Sequence, residues 1–232
     1  GQLTEARISA SARRILIQKF KQGLFEHPFV DAARAAATVG KADFIEAGLD
    51  AQRRSLVLLE NKEKVLPLAA TVKKVYLYGI DAAVAKQYGY TVVATPQEAD
   101  VALLRVAAPY ETLHPNYIFG SMQHEGRLDY VDGNADYEAI KNAAKYAPKT
   151  VVTVYLDRPA ILGNVQDKAS AILANFGVSD GALFDVLTGK AKPQGKLPFE
   201  LPSSMAEVQV QKSDVPYDTA HPLYKFGYGL GY

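Results

Sequence analysis

Cysteine and tryptophan are absent from the 232 residues, and methionine occurs only twice. Without cysteine there is no disulfide, no thiolate nucleophile and no cysteine-held zinc. An excess of charge of either sign is lacking too. Twenty-six Lys and Arg against 25 Asp and Glu leave a formal net charge of +1, which gives no global electrostatic case for nucleic acid or an anionic membrane as partner. No apolar run approaches the roughly 20 residues of a membrane-spanning helix. Residues 1–20 are polar and amphipathic, without the apolar centre of a signal peptide. The chain starts with Gly1 rather than Met, so it is expected to be processed, tagged and cut, or a piece of something longer. None of the four histidines (His27, His114, His124, His221) has an i, i+4 partner or a carboxylate in zinc-ligand register. Neither metal nor cofactor is expected.

What is present is an ordinary globular composition, 48% hydrophobic and 22% charged, long enough for one sizeable core. Residues 4–23 carry apolar positions near 3-4 spacing and read as an amphipathic helix. A second helix is expected over 43–59. From about residue 72 strands and helices alternate: strands near 72–80, 90–96, 99–110, 149–159 and 169–177, and helices near 81–89, 136–148 and 179–189. The run ADVALLRVAAPY is apolar on both faces, as a central parallel strand requires. KLPFELP is expected to be a last strand, at an edge because of its prolines. This alternation predicts an α/β fold, a three-layer α/β/α sandwich around a mostly parallel sheet of about five to six strands. A helical leader and linker (1–69) precedes the sandwich domain (70–232), which ends in an irregular Gly-, Pro- and Tyr-rich arm.

Three groups of residues invite chemistry. Gly177-Val178-Ser179-Asp180-Gly181 fits G-x-S-x-G between a strand and a helix, with Asp218 and His221 following in hydrolase order. Few further strands follow it and no oxyanion segment precedes it, so Ser179 or Asp180 is expected to cap the next helix instead. The glycines of FGYGLGY imitate a phosphate loop but follow no strand. The long loop 110–134 holds Gln123-His124-Glu125-Gly126-Arg127-Leu128-Asp129-Tyr130, at the carboxyl end of a central strand, where open α/β sheets bind ligands. An imidazole, a guanidinium and carboxylates so close together suit a polyhydroxylated ligand, with Glu125 a candidate general acid. The same composition also suits a solvated charged loop. Arg105 and Asp157-Arg158 fall at strand ends, where ion pairing or substrate contact is open.

FGVSDGALFDVLTGKAKPQGKLPFELP resembles the strand–helix–hook segment of glycoside hydrolase family 3, with Gly177, Gly181, Ala182, Leu187, Gly189, Pro193, Gly195, Lys196, Leu197 and Pro198 at its fixed positions. SLVLLEN with Leu66-Pro67-Leu68, and PLYKFGYGLGY at 222–232, resemble two further segments of that family in the same order. RRILIQKFKQGLFEHPFVD resembles the stretch that joins its barrel to its sandwich. The resemblance implies a retaining exo-glycosidase acting on terminal β-linked sugars, with β-glucosidase or β-N-acetylhexosaminidase activity. In that layout a (β/α)8 barrel carries the nucleophile and the sandwich supplies the acid/base. Such a barrel takes about 250 residues, so the N-terminal barrel is expected to lie outside this chain. The chain alone is then expected to be inactive, with a face left for docking through which it could self-associate. The family's E-G-x-D-R implies Glu125 as acid/base, with His124, Arg127 and Asp129 contacting the carbohydrate. Asp129 comes one residue late, and Tyr130 replaces the arginine. A non-catalytic carbohydrate-binding or interaction module is the alternative, and a Ser179 esterase a remote one. A periplasmic or secreted location would follow from the family.

Overall fold

The computed structural model describes residues 2–232. Contacts divide the chain into two units, 1–47 and 48–232. In the first, helix α1 (Glu5–Lys21) is capped by Thr4, whose hydroxyl accepts from the Arg7 amide. Helix α2 (Ala32–Thr38) is capped in the same way by Asp31. Neither helix buries a residue. Helix α3 (Ala42–Ser55) leads into the second unit.

The second unit is a six-stranded sheet in the order β1-β6-β5-β4-β2-β3. Its strands are β1 (Val57–Asn61), β2 (Lys74–Tyr78), β3 (Thr91–Val93), β4 (Val101–Ala107), β5 (Thr150–Tyr155) and β6 (Ala171–Asn175). All neighbours are parallel except β1, which runs antiparallel to β6. Successive side chains of a strand point to opposite faces, so each apolar run divides between two cores. Ala102, Leu104, Val152, Val154 and Ile172 pack on one face, with Ile140 of α5 (Ala135–Tyr146) and Val165 of α6 (Gly163–Gln166). Leu103, Val151 and Leu173 pack on the other, with Ala85 of α4 (Ala82–Gln87) and Phe184 of α7 (Asp180–Leu187). This is the expected three-layer α/β sandwich.

Two expectations are corrected. The helix expected over 43–59 stops at Ser55, and Val57–Asn61 becomes the edge strand β1. Leu56 and Leu58 enter one core and Val57 and Leu59 the other. So short a run, buried on both faces, has no period that separates strand from helix. KLPFELP forms no ladder strand. Pro198 and Pro202 have no N–H to give, while Leu197 and Leu201 donate to the carbonyls of Tyr228 and Tyr224 in the C-terminal arm, at 2.9 and 2.8 Å. Its place at the edge is taken by β1, and the arm in turn covers β1, since Leu230 donates to the Leu58 carbonyl at 2.7 Å. Exposed edges invite foreign strands, and the arm blunts this one. The approach is close: a Cβ on Gly195 would lie 2.7 Å from the carbonyl oxygens of both Ser55 and Leu56, and one on Gly229 would lie 2.5 Å from that of Gly195. Helix α8 (Met205–Val210) interrupts the return between hook and arm.

Two half-buried tyrosines brace helix α7. Tyr88 stacks on Phe184 at 5.1 Å and donates to Asp185 at 2.6 Å. Burial, and then that carboxylate, push its phenol up to about 12. Burial alone pushes Tyr232 up to about 12. The folded chain therefore holds these protons more tightly than the unfolded chain does. Their stabilisation is complete below the unperturbed value of 10.0 and is lost as pH rises through 10 toward about 12. Urea midpoints measured across that range should fall, and Tyr88→Phe should flatten the fall. Leu173→Ala, in the wholly buried centre of β6, should cost about 2–5 kcal/mol in the same assay. Gly195→Ala should cost about 1–3 kcal/mol through overpacking.

Candidate functional site

Strand β3 lies on one side of β2 and β4 on the other, so the winding of the sheet reverses between β2 and β4. The carboxyl ends of the strands there frame a cleft of about 370 Å³ lined by Gly79, Arg105, Asp136, Tyr155 and Gly177. Such reversal points are where open α/β sheets place ligands. Two of its polar groups are already committed. Arg105 pairs with Asp180 at 2.6 Å, the ion-paired alternative of the sequence reading. Asp136 accepts from the Tyr78 hydroxyl and the Ala107 amide, both at 2.9 Å.

The loop after β4 contains little regular structure, yet its two limbs are joined. Glu111 and Glu125 exchange both backbone hydrogen bonds, at 2.9 and 3.1 Å. Arg158, just beyond β5, donates Nη1 to the Glu125 carbonyl and Nη2 to the Gly126 carbonyl, the latter at 2.9 Å. Burial lowers the Arg158 pKa, and Asp157, Glu111 and Glu125 work against that shift. Gly126 has φ +66°, and a Cβ there would lie 1.9 Å from Glu111 Oε2. That oxygen instead accepts the Arg127 amide at 2.9 Å.

The four sequence-predicted residues fall on this segment and form three separate pairs. His124 Nδ1 meets Asp157, and its ring stacks on Tyr110 with centroids 3.7 Å apart and 10° between planes. The Glu125 carboxylate faces the other way, with both oxygens on His114 Nδ1 at 3.0 and 2.9 Å. Consecutive residues of an extended segment diverge in this manner. Arg127 and Asp129 grip each other in a two-point pair at 3.0 and 2.6 Å, which raises the guanidinium pKa through the carboxylate's hydrogen bond and charge. Sequence reasoning missed Tyr110, Glu111 and His114. They lie in the aperiodic approach to the cluster, where no sequence signal marks them. For Asp157-Arg158 the sequence leaves ion pairing or substrate contact open. Its charges serve the loop, the carboxylate holding an imidazole and the guanidinium two carbonyls.

The serine triad does not assemble. Ser179 caps α7, its hydroxyl accepting the Ala182 amide at 3.3 Å. His221 pairs with Glu207 at 3.0 Å, and Asp218 accepts the Lys212 amide at 2.7 Å. Among the described residues, no three His, Cys, Asp or Glu side chains are grouped to hold a metal ion, and no helix is long and apolar enough to cross a membrane.

A doubly wound sheet with a charged, pinned loop at its carboxyl edge defines an open α/β domain, and comparison with known proteins gives its kind. Residues 88–232 match the glycosyl hydrolase family 3 C-terminal domain, and the chain belongs to that family. It is 53% identical over 230 residues to the periplasmic beta-glucosidase/beta-xylosidase of Dickeya chrysanthemi, covering 99% of this chain and 35% of that protein. It is 43% identical over 234 residues to beta-glucosidase C of Emericella nidulans, covering 100% of this chain and 37% of that protein. The chain thus spans about a third of the length of these curated relatives. The same fold occurs in the beta-glucosidase of Listeria innocua in complex with isofagomine, at TM-score 0.74 and 22% identity, over 100% of this chain and 40% of that one. It also occurs in a b-glucosidase of Erythrobacter marinus, at TM-score 0.79 and 22% identity, over 99% and 40%.

The clamp on the loop is testable without substrate. Gly126→Ala forces a side chain into the left-handed region and onto Glu111, at a cost of about 1–3 kcal/mol. Arg158→Ala frees two carbonyls. Both should speed amide exchange across 111–128 and leave β4 and β5 protected. Unchanged exchange in the loop would mean that Arg158 does not hold it.

Proposed function

We propose that this chain is the acid/base half of a retaining β-glycosidase, acting together with a barrel domain that supplies the nucleophile. Glu125 protonates the leaving oxygen of a terminal β-linked sugar and then, as carboxylate, draws a proton from the incoming water. Retention needs two carboxyl groups about 5–5.5 Å apart across the scissile bond, and the second comes from the barrel. The observation that carries this reading is how Glu125 is mounted. Its backbone is held from both sides by Glu111 and Arg158, while its carboxylate stays partly exposed, 27% accessible, with an imidazole rather than a lysine or arginine as its side-chain partner. A carboxylate locked to a permanent cation is a poor proton donor.

His124, Arg127 and Asp129 are assigned to the sugar. Asp157 occupies His124 Nδ1, so Nε2 is the nitrogen that remains for a hydroxyl. The Arg127–Asp129 pair, with the arginine half exposed, offers donors and acceptors side by side without net charge. Pairing of this kind suits a neutral polyol. Glucosides and xylosides are the substrates that the relatives' names suggest.

The exposed tip of the loop, with Tyr117, Ile118, Phe119 and Met122 each at least 66% accessible, supplies apolar surface for the barrel to cover. Without a barrel the chain should self-associate as its concentration rises, and sedimentation showing only monomer would count against a docking face. The reading itself is tested by turnover of aryl β-glycosides with graded leaving groups, by the chain alone and joined to a family 3 barrel domain. The chain alone should be silent. In the joined protein Glu125→Gln should lower kcat/KM about 10²–10⁴-fold on poor leaving groups, and far less on dinitrophenyl glycosides, whose departure needs no proton. An unchanged kcat/KM on poor leaving groups would overturn the assignment. Sugar binding that survives without any turnover would favour a non-catalytic module.

A further inference from the structure

We propose that His114 is the positioning residue of Glu125, a role that rests on reading Glu125 as the acid/base. A glutamate on a loop has three rotatable side-chain bonds, and a general acid works only when its proton is aimed at the leaving oxygen. Something must therefore hold the carboxylate without a fixed positive charge. His114 is built for this. Its backbone is set by a tight turn, in which its carbonyl accepts the Tyr117 amide at 3.1 Å and the Tyr117 carbonyl accepts the Gly120 amide at 2.8 Å. Gly120 packs so closely on this turn that a Cβ there would lie 1.8 Å from the His114 oxygen. The imidazole is braced by the Tyr117 ring, with centroids 4.8 Å apart and 24° between planes. From that seat Nδ1 reaches both carboxylate oxygens almost equally, at 3.0 and 2.9 Å.

The chemistry follows from the acceptor. An ionised carboxylate can only accept, so Nδ1 carries the proton facing it. When Glu125 is protonated, one oxygen bears the proton and the other still accepts from Nδ1–H. The imidazole thus holds the carboxyl group in both states of the cycle without taking the proton that the leaving group needs. His124, although adjacent to Glu125 in sequence, cannot do this, because its Nδ1 is engaged with Asp157.

Two measurements test the proposal. In the 232-residue chain, nitrogen-15 NMR at about pH 8.5, two units above the ordinary imidazole value, reports which ring nitrogen carries the proton. His114 should hold it on Nδ1 and return to the Nε2–H form in Glu125→Ala. An Nε2–H form in the unsubstituted chain, or no change in Glu125→Ala, would sink the pairing. In the protein joined to a barrel, His114→Ala should lower kcat about tenfold on poor leaving groups with KM unchanged. His114→Asn, whose amide donates from nearly the same place as Nδ1, should recover most of that loss. If Glu125→Gln impairs turnover and His114→Ala does not, the positioning role is wrong while the acid/base reading stands. If Glu125→Gln itself has no effect, the acid/base reading fails, and His114→Ala then has no carboxylate to misplace.

Discussion

At Gly195 three distant parts of the chain touch backbone to backbone. A Cβ on it would run into the carbonyls of Ser55 and Leu56, and one on Gly229 into the carbonyl of Gly195 itself. No side chain fits between them, so the contact exists only because both positions are glycine. It seats β1 at the edge of the sheet, and with it the hook and the C-terminal arm. From that edge the sheet runs inward, β1 against β6, β6 against β5, β5 against β4. A slip of one residue would turn each strand's core-facing side chains to the opposite face. It would also carry Asp157 and Arg158 away from the loop that they hold.

The loop illustrates how an irregular segment becomes a definite place. It contributes few side chains to either core, Leu128 and Tyr130 being buried at its far end, where the Tyr130 hydroxyl donates to the Ala107 carbonyl at 2.7 Å. Polar bonds to backbone do the rest. Arg158 gives two hydrogen bonds to carbonyls, and Glu111 takes one from an amide. Charge-assisted bonds of this kind are roughly twice as strong as neutral ones. The backbone of Glu125 is therefore better defined than the absence of helix or strand around it suggests.

Most of the fold was legible because its signals are local. The central strands are apolar on both faces, and the helices between them are capped and periodic. Ser179 was legible as a cap for the same reason. β1 was not, since its five residues follow a helix directly and differ from it only in what they pair with. KLPFELP failed in the opposite sense. It has the composition of an edge strand, but its two prolines leave too few donors for a ladder. In the loop, the charge cluster and its place after β4 could be read, and so could the family to which the flanking motifs belong. The pairings could not. His124 and Glu125 are neighbours in sequence and diverge in space, while His114 and Glu125 meet across a turn whose geometry no periodicity encodes.

The exchange of hydrogen bonds between Glu111 and Glu125 has an evolutionary consequence. It brings the two ends of the intervening segment together, so that segment hangs from the domain as a closed excursion. Doubling the length of such an excursion costs only about 0.6 kcal/mol in closure entropy. Insertions and deletions between residues 112 and 122 can thus accumulate in different lineages without dislodging the peptide that bears the carboxylate. What such changes alter is the company the carboxylate keeps, its imidazole neighbour and the aromatic surface beyond. Diversification of this kind would change the surface around Glu125 while its backbone stays at a single address.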